Sequence, residues 1–347
     1  MRFILILILL PFSIFSQEKD SLKIKVSGFL ETYYAYDFSS PTTDSKLPFM
    51  YNYNRHNEFN VNNGLIRAQL QYGNTYASIA VHAGTYVDDN YASEDIKLVS
   101  EAYVGMYLND NKKSSIEVGI MPSYIGFESA TTATNLTLTR SILAENSPYF
   151  MTGIKYNYKP NDKWSFSGLV TNGWQRINRP DKTVTPALGT QIIYKPSEKA
   201  TLNWITFIGK EFYGTELAMR YFSNLYWDNT WNSKWRTILG FDFGIQDSSS
   251  MNDEHLFWMS PVFIAQYSIN PKWQTAVRVE YYQDEDNVIV ATSDAFKTSG
   301  ASINFDYLLN SKVKLRTEAR YFDSKEAIFF DTKTNNFFVT TSLSFEF

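Results

Sequence analysis

The chain has 347 residues, no cysteine, 32 basic against 36 acidic side chains and a formal net charge of −4. Without thiols it can hold no disulfide framework, thiolate metal site or lipoprotein anchor, and its charge balance offers no electrostatic footprint for nucleic acid. Aromatic residues make up 17% of the chain beside a negative mean hydropathy, so the rings are expected to serve something other than an ordinary soluble core.

At the N-terminus Met1-Arg2 precedes an almost wholly apolar run, Phe3 to Phe15, and Ser16 offers a small residue before Gln17. This reads as a secretory signal peptide over 1–16 whose cleavage leaves one domain, 17–347. The run of 13 residues, broken by Pro11 and Ser13, is shorter than the roughly 18 needed for a spanning helix. No later stretch is long and apolar enough either, which excludes a helical bundle.

From Leu22 onward, short segments alternate apolar and polar residues with period two, as in strands whose two faces meet different surroundings. In 273–282, Trp273, Thr275, Val277, Val279 and Tyr281 oppose Gln274, Ala276, Arg278, Glu280 and Tyr282. In 312–322 the charged face carries Lys314, Arg316, Glu318 and Arg320, and four consecutive charges on one face call for water. At the C-terminus Phe337 through Phe347 alternate with Asn336 through Glu346, and Phe338 is the one apolar exception.

Two kinds of connection alternate. Seven are tight and rich in Asn, Pro, Lys and Gly, at 73–74, 109–113, 159–163, 196–199, 232–234, 270–272 and 310–311. Eight are longer and more polar, near 39–56, 88–96, 122–148, 175–186, 210–217, 247–255, 285–295 and 323–335. Fifteen connections imply about 16 strands, each about 9–11 residues long, enough to cross a bilayer at a tilt. Aromatics such as Tyr72, Tyr107, Trp235 and Tyr307 flank the tight turns, as an interfacial girdle requires. A soluble sandwich or propeller gives no reason to gather short turns at one end and long loops at the other. Backbone groups facing lipid must pair, so the expected fold is all-β, a closed antiparallel up-and-down transmembrane barrel.

The segments Pro122-Ser-Tyr-Ile-Gly-Phe-Glu-Ser129, Leu138-Thr-Arg-Ser-Ile-Leu-Ala-Glu-Asn-Ser-Pro-Tyr-Phe150 and Asn172-Gly-Trp-Gln-Arg-Ile177 resemble those of the β-barrel porins called OmpL-like, found in Bacteroidota. The resemblance runs from about Val26 to Phe347. It implies a Gram-negative outer-membrane barrel with porin activity and carries over no catalytic residue.

A barrel of this size encloses an aqueous channel, and the alternation places Glu31, Arg67, Glu101, Glu117, Lys155, Asp242, Arg278, Glu280, Lys314, Arg316, Glu318 and Arg320 on its inner face. Lys314, Arg316 and Arg320 form a candidate basic ladder that would favour anions; a merely solvated wall is the other reading. The loop 122–148 is the longest and carries many apolar residues, with a short helix expected over Leu136 to Glu145. It is expected to fold into the lumen and present Glu128, Arg140 and Glu145 to solute; an external lid is the alternative. Near Asn62-Asn63-Gly64 the alternation breaks, so a bulge is expected there.

The predicted function is a water-filled channel for small hydrophilic solutes, with an adhesin-like structural barrel or an outer-membrane hydrolase as alternatives. Hydrolysis is poorly supported, because His56, His82 and His255 stand in no nucleophile motif. No cofactor or metal site is read. The expected partners are solutes, outer-membrane lipid and lipopolysaccharide, and the barrel-assembly machinery through terminal Phe347; self-association stays open.

Overall fold

Sixteen antiparallel strands close on themselves in a computed structural model that describes residues 21–179, 185–248, 254–330 and 332–347. The predicted signal peptide, 1–16, lies outside the described residues. The strands are β1 (Lys23–Asp37), β2 (Phe59–Tyr72), β3 (Thr75–Ala83), β4 (Val99–Tyr107), β5 (Ser114–Pro122), β6 (Phe150–Tyr158), β7 (Trp164–Thr171) and β8 (Ala187–Ser197) in the first half. The second half holds β9 (Ala200–Tyr213), β10 (Glu216–Thr230), β11 (Trp235–Ser248), β12 (Glu254–Ser268), β13 (Trp273–Asp284), β14 (Phe296–Leu308), β15 (Val313–Ser324) and β16 (Asn335–Glu346). Each pairs with its neighbour in sequence, and β1 pairs with β16, so no edge is left open.

The closing seam depends on a small residue. Gly28 and Phe347 exchange backbone hydrogen bonds of 3.0 and 3.1 Å, and the Phe347 ring covers Gly28 where any Cβ would sit. A Gly28→Val substitution is expected to displace that ring and lower the urea-unfolding midpoint, by about 1–3 kcal/mol of overpacking. An unchanged midpoint would refute it.

The tight turns share one device. In four of them an asparagine side chain accepts the backbone N–H groups two and three residues ahead: Asn161 from Lys163 and Trp164, Asn232 from Lys234 and Trp235, Asn270 from Lys272 and Trp273, and Asn310 from Lys312 and Val313, all at 2.8 to 3.1 Å. The recurrent Asn-x-Lys spacing is thus a turn motif in which the side chain replaces a missing backbone partner. Rings pair beside these turns on the outer face, Trp164 stacked on Tyr194 at 4.3 Å, Trp273 tilted against Tyr307 at 4.6 Å and Trp235 tilted against Tyr267 at 4.8 Å. They form a belt at one depth.

Two local expectations change. The connection read as a loop over 210–217 is a two-residue turn, Gly214-Thr215, with the ladder of β9 and β10 continuing to the pair Glu216 and Tyr213. Gly214 has φ 59, and its freedom at positive φ lets the strands run longer than their polar composition suggested. The helix expected over Leu136 to Glu145 is reduced to a single turn, Ile142–Glu145, because the preceding backbone is bound by side chains of the barrel wall. The break at Asn62 is a bulge, since Glu31 pairs with Asn63 while Thr32 pairs with Val61.

Candidate functional site: the lumen and its inserted loop

The outward side chains are the exposed apolar ones, such as Val277 and Val279, and the buried residues between them point inward. Every residue of the predicted inner set, from Glu31 to Arg320, falls on that inner face. They do not share one environment, however, because the loop 123–149 runs through the lumen and divides them.

Its backbone has no secondary structure over 135–141, so its polar groups need other partners inside the barrel. The wall of β13 to β15 supplies them. Lys314 Nζ donates to Ala133 O at 2.8 Å, Arg316 to Thr132 O and Asn135 O at 3.0 and 3.1 Å, Arg278 to Thr139 O at 2.7 Å and Arg320 to Arg140 O at 2.7 Å. Carboxylates and an amide of the same wall take the amides: Glu318 accepts from Thr139 N at 2.6 Å, Glu280 from Ile142 N at 2.7 Å and Asn304 from Leu138 N at 3.1 Å. The charges balance among themselves. Arg278 pairs with Glu318 at 2.7 Å and Glu280 at 3.1 Å, Arg320 with Glu280 at 2.6 Å and Arg316 with Asp306 at 2.8 Å. Arg278, Arg316 and Arg320 have no more than 1% exposure, so water does not reach these rungs.

Further contacts fix a second loop. Glu31 accepts hydrogen bonds from Thr132 at 3.0 Å, from Ser342 at 3.0 Å and from Tyr53 at 2.7 Å, joining the loop 123–149 to the loop 38–58. Asn62, turned inward by the bulge, accepts from Tyr53 N at 2.9 Å and donates to Glu31 at 3.3 Å. The loop 38–58 inserts Phe49, which packs on Phe296 at 4.9 Å and Phe322 at 5.9 Å. Phe338 is one of these inward rings, in a cluster with Phe322 and Phe329, which explains its break with the polar pattern of its face.

The three residues expected at the aperture are also held by protein. Glu128 accepts from Ser141, and burial pushes its carboxyl up. Glu145 accepts from Tyr51 N and the Tyr149 hydroxyl at 2.9 Å and from Asn52 at 3.0 Å. The Arg140 guanidinium lies 3.7 Å from the Tyr149 ring centre and donates to Ala144 O at 2.5 Å.

Space remains on the opposite side. A cavity of about 300 Å³ lies between the loop and the β2–β4 wall, lined by Arg67, Glu101, His82, Tyr86 and Tyr149 among others. Arg67 and Glu101 form an ion pair there. Nearer the turns, Lys155 faces Glu117 at 4.0 Å, and both are partly exposed. Asp242 is buried and accepts from Asn224 at 2.5 Å. A second cavity, about 240 Å³, lies toward the loop end beside Trp174, Arg176 and Arg220. Arg176 and Arg220 were not anticipated: Arg176 follows Gly173-Trp174-Gln175 and Arg220 follows Leu217-Ala218-Met219, with no run of charges to mark either. Among the described residues no helix is long and apolar enough to cross a membrane, which says nothing of strands.

Solved structures share this architecture at low identity. The chain is similar to the outer membrane channel DcaP of Acinetobacter baumannii, at 13% identity, TM-score 0.66, covering 94% of this chain and 97% of that one. It is similar to an anion-selective porin from Comamonas acidovorans, at 10% identity, TM-score 0.63, covering 94% and 100%. It also matches Salmonella typhi OmpF, solved in complex with daunomycin, at 12% identity, TM-score 0.61, covering 93% and 97%. No curated protein matches the sequence. The family described as "Putative beta-barrel porin-2, OmpL-like" matches residues 23–347, the whole of the closed barrel. The chain therefore belongs to the OmpL-like family of outer-membrane β-barrel porins.

Proposed function

We propose that this porin passes small hydrophilic solutes by passive diffusion along the side of the lumen left free by the loop 123–149, which sets the aperture. The observation that supports this most is the wall of Lys314, Arg316, Arg278 and Arg320 that binds the carbonyls of that loop. Arg67, Glu101, Glu117 and Lys155 then line the solute path, and the ladder acts on it through the loop. The chain is exported by a cleaved signal peptide, 1–16, and Phe347 is the element presented to the barrel-assembly machinery. Lipid and lipopolysaccharide surround its apolar outer face, which is also where a homo-oligomer would form.

Anion preference is proposed in a weaker form than the ladder alone implies, since Glu280, Glu318 and Asp306 offset its arginines. Replacing Lys314, Arg316 and Arg320 together with Gln is expected to loosen the loop, raising mean conductance and current noise, with only a small shift of reversal potential toward cations. Recordings in planar bilayers with anions, cations and sugars read all of these together. Unchanged conductance and noise in a folded variant would count against the loop as aperture. A structural, adhesin-like barrel is the second reading, favoured by the apolar cluster that fills the loop end of the lumen; sustained ion flux would exclude it.

A further inference from the structure

The loop-end cavity contains a buried cation whose acceptor is a neutral amide. Arg220 on β10 is 4% exposed, and its Nε and Nη2 both donate to one neutral acceptor, Gln246 Oε1, at 2.8 and 2.6 Å. Gln246 is held in turn by donating to Glu211 O at 3.0 Å. The guanidinium lies near two indoles, 5.3 Å from the Trp174 ring centre and 5.6 Å from that of Trp258. Its Nη1 has no acceptor among the described residues, and no carboxylate of those residues forms an ion pair with it.

The acids that share the cavity are already engaged. Glu211 accepts from Trp174 N at 2.6 Å and pairs with Arg176 at 3.2 Å, and Glu145 is saturated by Tyr51, Asn52 and Tyr149. Asp284, which with Glu211 acts on Arg220 through space, accepts from the backbone N–H groups of Val288, Ile289 and Val290. A buried guanidinium with no carboxylate in hydrogen-bond contact is costly to keep, and a carboxylate delivered to it gains a charge-assisted hydrogen bond. The lining is largely polar, and Trp174, Phe212, Val288 and Ile289 supply its apolar part. A volume of about 240 Å³ falls just below the roughly 300–1,000 Å³ of sites for drug-sized ligands, so the occupant is small.

We propose that this cavity is a binding site for the carboxylate of a small organic acid with an aromatic or branched apolar body, captured by Arg220 beside Trp174, Phe212 and Ile289 at the loop end of the channel. The proposal deepens the porin reading and rests on it for the route of the solute.

The test is calorimetric titration of the folded full-length protein in detergent with benzoate and with neutral benzamide, beside conductance recordings on the same preparation. Benzoate is expected to bind saturably and at least tenfold more tightly than benzamide. Arg220→Gln removes the cation, and Gln246→Glu gives Arg220 an internal carboxylate while keeping it in place; each is expected to weaken benzoate binding tenfold or more. Should Arg220→Gln fail to fold, Gln246→Glu carries the test alone. Equal binding of benzoate and benzamide, benzoate binding unaltered in both variants, or no saturable heat would each overturn the site. Ion flux without Arg220-dependent binding defeats the site and leaves the porin reading; such binding in a barrel without flux defeats the porin reading and leaves the site.

Discussion

Deleting residues 130–142 is expected to raise single-channel conductance by roughly twofold or more, because the segment occupies part of the lumen of a sixteen-stranded barrel and its removal widens the aqueous path beside the loop 38–58. The deletion removes the acceptors of Lys314, Arg278, Arg316 and Arg320 in one step. It should not unfold the barrel. The strand ladders are complete without the loop, and the freed side chains gain water in exchange for lost carbonyls. Their mutual pairs, such as Arg316 with Asp306 and Arg320 with Glu280, are contributed by the strands and persist. Planar-bilayer recording of the refolded variant is the measurement, and conductance equal to that of the parent would show that the loop does not limit flux. Partial deletion that spares 137–140 should give an intermediate rise, since Arg278 and Arg320 would still hold Thr139 and Arg140.

Acidification is expected to release the loop 38–58, through Lys46. This lysine is 1% exposed, its Nζ lies 4.1 Å from the Phe338 ring centre, and that nitrogen has no hydrogen-bond partner among the described residues. Burial pushes its pKa down to about 7; Asp37, Glu145 and Glu318 oppose that shift and Arg320 adds to it. A released, hydrated Lys46 titrates near the ordinary value of 10.5. Between those two values the released loop binds more protons than the packed one, so packing strengthens as pH rises and weakens as it falls. Below about 7 both forms are protonated, and the full cost of the buried charge is present.

The released fraction should therefore fall by up to about tenfold per pH unit from about 7 toward 10. The absence of native cysteine makes a single label at Thr42→Cys, an exposed position of the same loop, a clean reporter of its mobility. Lys46→Met should hold the loop packed and flatten the profile. A Lys46→Met variant with the parental pH slope would assign the titration elsewhere.

The strands were legible because their signal is local. Period two is set by the geometry of a single strand, and Lys314, Arg316, Glu318 and Arg320 alternate with apolar neighbours whatever the rest of the chain does. The tight turns were legible for the same reason, through Asn and Lys at fixed spacing. The turn at Gly214-Thr215 was misread because polar Lys210, Glu211 and Glu216 look like loop residues, whereas Glu211 is buried and faces Arg176 and a backbone amide. Phe338 stood out in the sequence but had no reason there; it needed the rings of Phe322 and Phe329.

Sequence by itself determined a closed barrel of sixteen strands, the end at which its turns and aromatic belt lie, and which side chains point inward. Only the tertiary structure decided what those inward groups meet. Arg316 and its acceptor on Thr132 are 184 residues apart, and no periodicity links them. An inward arginine reads the same whether it faces water or clamps a loop. The difference arises because a backbone without helix or strand inside the lumen must find donors and acceptors on the wall, and that wall exists only once the barrel has closed.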